Sequence, residues 1–177
     1  MKYIFVLFAF LKLSIGVYAQ NIQTITVSRC SLMASIPNGG TTYVDTLGVI
    51  MYSSISRDST VGAQLFVYEN FSLDSNEVLN VYMQENNETD TLKTIAKYMV
   101  AVAEGQLVYF NIIDNLPGRK TMDVGIAYQE GSTNFITFTR YVIRGKRLAI
   151  LNLFAQIDYL NNLMEYRTLC FNNLILY

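Results

Sequence analysis

Six basic residues crowd into one stretch of the sequence: Arg119, Lys120, Arg140, Arg144, Lys146 and Arg147. Between Arg57 and Lys93 there is no Lys or Arg, while Glu69, Asp74, Glu77, Glu85, Glu88 and Asp90 fall in that interval. Such an asymmetry is the material of a polarised surface, able to steer an anionic partner by long-range attraction. Its plain alternative is a set of solvated strand ends and turns. Arg119 and Lys120 flank one turn; Arg144, Lys146 and Arg147 crowd another. Two antiparallel passes separate the turns, which puts both at the same end of a sheet. The expected anionic-partner surface is therefore Arg119, Lys120, Arg144, Lys146 and Arg147, with an acidic region around residues 69–90 elsewhere.

Other chemistries are narrowed by what is missing. The chain has no His and no Trp, which removes Ser-His-Asp and Cys-His arrangements and His-based zinc sites. Two lone cysteines, Cys30 and Cys170, form neither a structural zinc site nor a CxxC redox pair. They read as buried thiols or as one disulfide that export would permit. No Walker motif and no GxGxxG occurs, and no cofactor is implied. Asp74-Ser75-Asn76 has the start of a calcium loop, but Val78 stands where a ligand is wanted. Glu85 to Asp90 reads as a solvated connection rather than a cation site. Asn70-Phe71-Ser72 and Asn87-Glu88-Thr89 are glycosylation sequons, relevant only on a eukaryotic secretory route. Fourteen acidic residues leave paired-carboxylate hydrolysis formally open. Asn152, in an otherwise apolar strand, is expected to be a buried, satisfied core amide.

The elements that must carry these residues follow from periodicity. Met122, Val124, Ile126 and Tyr128 alternate with Asp123, Gly125, Ala127 and Gln129, a strand with one apolar face. Residues 135–143 are rich in β-branched and aromatic types, and 148–155 are apolar on both parities, as in a strand covered on both faces. Asp158 is a candidate cap for a final helix. Its stripe is Leu160, Leu163, Met164, Arg167, Cys170, Phe171 and Leu174, apolar except for Arg167. Earlier strands are read at 30–36, 47–52, 63–69 and 107–113. Leu92, Ile95, Ala96, Met99, Val100 and Ala103 predict a helix capped by Gly105. Residues 76–86 fit helix or strand, with helix chosen. Pro117-Gly118 has the residues of a type II turn. The expected fold is α+β: an α/β/α sandwich with one mostly antiparallel sheet of about six or seven strands and helices on both faces.

Residues 1–19 read as a signal peptide: Lys2, an apolar run broken by Lys12, and small residues at Val17-Tyr18-Ala19. Residues 20–177 then form one domain, secreted or periplasmic after cleavage near Ala19, with no membrane span in the mature chain. A net charge of −1, made more negative by loss of the two leader lysines, argues against generic nucleic-acid binding.

Ser31-Leu32-Met33-Ala34-Ser35-Ile36-Pro37-Asn38-Gly39 resembles the opening strand and Pro-x-Gly turn of the PsbP-like proteins. These are relatives of the extrinsic oxygen-evolving-complex subunit of photosystem II, and a yeast Ran-binding nuclear import factor shares their fold. The end of the chain is similar to the family's last hairpin and helix: Arg140-Tyr141-Val142-Ile143, a turn, an apolar strand, then Phe171-Asn172-Asn173-Leu174. The resemblance covers Cys30 to Tyr177 and implies an antiparallel sheet between helical layers. Gly40 stands where the family often has an aromatic. Nothing matches the metal-binding or photosystem-docking residues of the plant subunit, so neither role is carried over. The resulting expectation is a non-catalytic binding or accessory module whose partner is an unknown protein or anionic ligand. The alternatives are a hydrolase working without His and a carrier of small apolar ligands.

Overall fold

The computed structural model describes residues 21–46, 48–71 and 91–177. The expected leader, the 76–86 segment, Asp74-Ser75-Asn76, the Glu85 to Asp90 connection and the second sequon lie outside the described residues. Ten strands are described: β1 (Ile22–Val27), β2 (Leu32–Pro37), β3 (Gly40–Thr46), β4 (Val49–Ile55), β5 (Gly62–Tyr68), β6 (Gln106–Leu116), β7 (Arg119–Glu130), β8 (Thr133–Arg144), β9 (Arg147–Gln156) and β10 (Ile175–Leu176). Helix α1 is Thr91–Val102 and α2 is Leu160–Asn172.

Seven strands form an antiparallel sheet in the order β3-β4-β5-β9-β8-β7-β6. The other three form a second sheet, β1-β2-β10, which the sequence reading had merged into a single one. The last helix does not run to the chain end, because Asn173 and Leu174 close it and β10 returns to pair with β2.

Strand β9 is central, and its two parities enter different cores. Ala149, Leu151, Leu153 and Ala155 join Leu32, Ala34 and Ile36 of β2 and Leu163, Tyr166, Cys170 and Phe171 of α2. Leu148 joins Met122, Val124, Ile126, Tyr141 and Ile143 with Leu92, Ile95 and Ala96 of α1. This is why 148–155 reads apolar on both parities.

The caps differ from expectation. Asp158 lies in a 3-10 turn, Ile157–Tyr159, and Tyr159 precedes α2 with no side-chain cap. At the end of α1 the left-handed residue is Glu104 (φ 48°), not Gly105. Glu104 N–H bonds to Ala101 O and Gly105 N–H to Val100 O, the paired bonds of a Schellman motif. Gly105 is needed for a different reason: a Cβ there would stand 2.7 Å from the Ala127 carbonyl oxygen.

Strand β3 was missed altogether. All of its residues are exposed, so no apolar parity marks it, and it holds its place through the β4 ladder and polar side-chain contacts such as Gln23 to Thr41.

Candidate functional site

The basic residues converge as their spacing requires. Arg119 of β7 stands directly opposite Arg144 of β8, and Arg144 opposite Arg147 of β9. Gly118 and Gly145 supply the positive φ of the two turns, 75° and 59°. The turns are joined by a bond from Gly145 N–H to Gly118 O at 3.0 Å. Like charges on adjacent rungs repel, and each arginine finds its own acceptor. Arg119 Nε pairs with Asp114 Oδ2 at 2.7 Å. Arg144 Nη1 donates to Leu176 O at 3.0 Å, and Arg147 Nη1 to Cys30 O at 2.9 Å. Lys120, Arg144, Lys146 and Arg147 have no carboxylate partner among the described residues. Arg144 and Arg147 are thus held by backbone carbonyls alone, and the Lys120 and Lys146 ammonium groups have no side-chain partner among the described residues.

Arg29, not singled out from the sequence, pairs with Asp45 at 2.7 Å and Glu69 at 2.5 Å. Its guanidinium holds the Asp45 carboxyl below the usual carboxylate range. Glu69 therefore faces a cation, and Phe71 N–H bonds to Lys146 O at 2.8 Å. The acidic stretch was expected away from the basic end; its first residues lie against it.

Arg140 does not belong to that surface. Its guanidinium is clamped on Asp123, Nε to Oδ1 at 2.7 Å and Nη2 to Oδ2 at 2.9 Å, and Nη1 reaches Phe171 O at 2.8 Å. Asp123 is 2% exposed, although the alternation had placed it on the polar parity of its strand. Arg167, the odd residue of the helical stripe, approaches the same carboxylate at 3.5 Å. It lies over the rings of Tyr109 at 4.6 Å and Phe138 at 4.7 Å. This centre pins α2 to β7 and β8.

Cys30 and Cys170 are free and buried. Cys30 Sγ faces Glu69 Oε1 at 3.7 Å. Burial pushes the Cys170 thiol up to about 12 and, with Glu69 alongside, raises Cys30.

Asn152 is half-buried rather than fully enclosed. It lines a cleft of about 470 Å³ between the end of α1 and the sheet, walled by Phe66, Tyr68, Met99, Tyr128 and Ile150 and floored by Gln64, Thr137, Thr139 and Asn152. Among the described residues the lining has no acidic side chain. Among the described residues no cluster of three metal-ligating side chains occurs, and no helix is long and apolar enough to cross a membrane.

No family model and no curated protein matches the chain. Solved structures do. The solution structure of cyanobacterial PsbP (CyanoP) from Synechocystis sp. PCC 6803 is similar at a TM-score of 0.57 and 10% identity, over 89% of this chain and 94% of that one. A crystal structure from Bacteroides thetaiotaomicron VPI-5482 is similar at a TM-score of 0.45 and 9% identity, over 89% of this chain and 49% of that one. With the seven-stranded antiparallel sheet and the closing helix already described, the chain has a PsbP-like fold.

Proposed function

We propose that this protein is an exported, non-catalytic accessory module that docks an anionic protein partner on the basic end of its main sheet. The observation that carries the reading is the Arg119, Arg144, Arg147 rung series with Lys120 and Lys146 beside it. A PsbP-like fold is consistent with a binding role, but fold alone assigns none. Residues 1–19 support export to the periplasm or the outside. The two apolar clusters support reading the architecture as a sandwich with helices on both faces.

The lysines are the residues to test, because Arg144 and Arg147 also hold backbone carbonyls. A partner captured from envelope extract with the tagged 20–177 chain should bind with an affinity that falls steeply with salt. Lys120→Ala with Lys146→Ala should lower the on-rate more than it raises the off-rate. Unchanged kinetics at low salt would leave only the solvated-turn reading.

A further inference from the structure

We infer that the cleft between α1 and the sheet is a binding site for a neutral saccharide. The site is separate from the basic end and independent of the reading above. It rests on a row of uncharged polar side chains. Register pairs Ser53 with Gln64, Gln64 with Asn152, and Asn152 with Thr139. Four adjacent strands thus present four hydrogen-bonding side chains on one face, about 4.8 Å apart, and three of them, Gln64, Asn152 and Thr139, line the cleft. The rungs beside this row are Met51, Phe66, Ile150 and Tyr141 on one side and Phe154 with Thr137 on the other. The polar row is a band across an apolar and aromatic face.

Much of its bonding capacity is unspent. The hydroxyls of Thr137 and Thr139 both meet one end of the Asn152 amide, Thr139 at 2.9 Å. Thr137 also lies 3.1 Å from Leu153 O, the natural acceptor for its one proton. Whichever way the amide is turned, one end is used by the threonines. The other end has no partner among the described residues. The side chain of Gln64 likewise has no hydrogen-bond partner among the described residues.

The ligand class follows from these features. Among the described residues no Lys, Arg, Asp or Glu lines the cleft, so a charged ligand would lose its hydration with no compensating charge from them. A purely apolar ligand would bury Gln64 and Asn152 unsatisfied. A sugar answers both, since its hydroxyls donate and accept, and its C–H faces lie against rings such as Phe66, Tyr68 and Tyr128. The volume, about 470 Å³, suits a short oligosaccharide and falls within the usual range of ligand pockets.

Saturation-transfer NMR of the folded 20–177 chain with millimolar maltotriose, cellotriose and chitotriose tests the inference. At least one should receive transfer, and raising the salt should not diminish it, unlike binding at the basic end. Gln64→Leu and Asn152→Leu should each weaken that binding about tenfold, the equivalent of one lost hydrogen bond. Gln64 holds no partner, so its variant folds even where Asn152→Leu fails. Absence of transfer from all three sugars would overturn the inference, as would undiminished binding to the Gln64→Leu protein. So would equal transfer to cyclohexane-carrying detergent, which would make the cleft an apolar site.

Discussion

Arg140 holds Asp123 through both carboxylate oxygens, one strand across from it, beneath the last helix. The pair is scarcely exposed, with 16% and 3% of the two side chains accessible. Arg167 adds a second guanidinium, and its Nε has no hydrogen-bond partner. The three aromatic rings around Arg167, at 4.6, 4.7 and 5.7 Å, supply what the single carboxylate does not.

Removing the carboxylate should therefore be costly. Asp123→Asn leaves two enclosed cations without a counter-ion, and the expected loss is about 3–5 kcal/mol. Urea unfolding checks this. The triple change Asp123→Leu, Arg140→Met, Arg167→Met removes the charges together and should recover much of that loss. A neutral effect of Asp123→Asn alone would show that the centre is solvated.

Arg147 and Lys146 are sequence neighbours with different expected behaviour. Arg147 bonds the Cys30 carbonyl and ties the 3-10 turn Ser28–Cys30 to the main sheet. Arg147→Ala should cost about 1.5–3 kcal/mol, the range for a hydrogen bond to a charged group. Lys146 has an exposed side chain, and Lys146→Ala should change stability by less than about 0.5 kcal/mol. Denaturant midpoints of the two variants separate structural from surface cations.

The thiols predict a pH dependence. Burial lifts Cys170 from 9.0 to about 12, so the folded state keeps its proton where the unfolded chain has lost it. A raised thiol pKa gives stability that is complete below pH 9 and is lost as pH rises toward 12. The urea midpoint should fall between pH 8.5 and pH 10.5, and Cys170→Ala should flatten that fall relative to its own midpoint at pH 8. Native thiol labelling should be slow at both cysteines, which are 0% exposed.

The β7-β8-β9 meander and its shared basic end were legible because alternation and turn residues fix register locally. Helix α1 was legible from its uninterrupted stripe. Strand β3 was not, since a wholly exposed edge strand carries no parity signal. Asp123 misled for a different reason: Gly125 and Ala127 share its parity, and small residues there read as a solvent face. Gly125 instead makes room for two rings, since a Cβ there would come within 2.7 Å of the Phe138 ring and 2.8 Å of the Tyr109 side chain. Arg167 in an apolar stripe was the available clue to a buried acid. The cleft needed long-range pairing of β5 with β9, which no local pattern contains.

A photo-reactive residue at Lys146, compared with one at Glu130, tests the docking claim most directly. Glu130 lies at the far end of the same β7–β8 pairing that brings Arg119 against Arg144. In envelope extract the probe at 146 should capture a discrete partner at low salt and lose it at high salt. The probe at 130 should capture none. Equal capture at 130, or capture at 146 that high salt leaves intact, would contradict an electrostatic docking surface at the basic end.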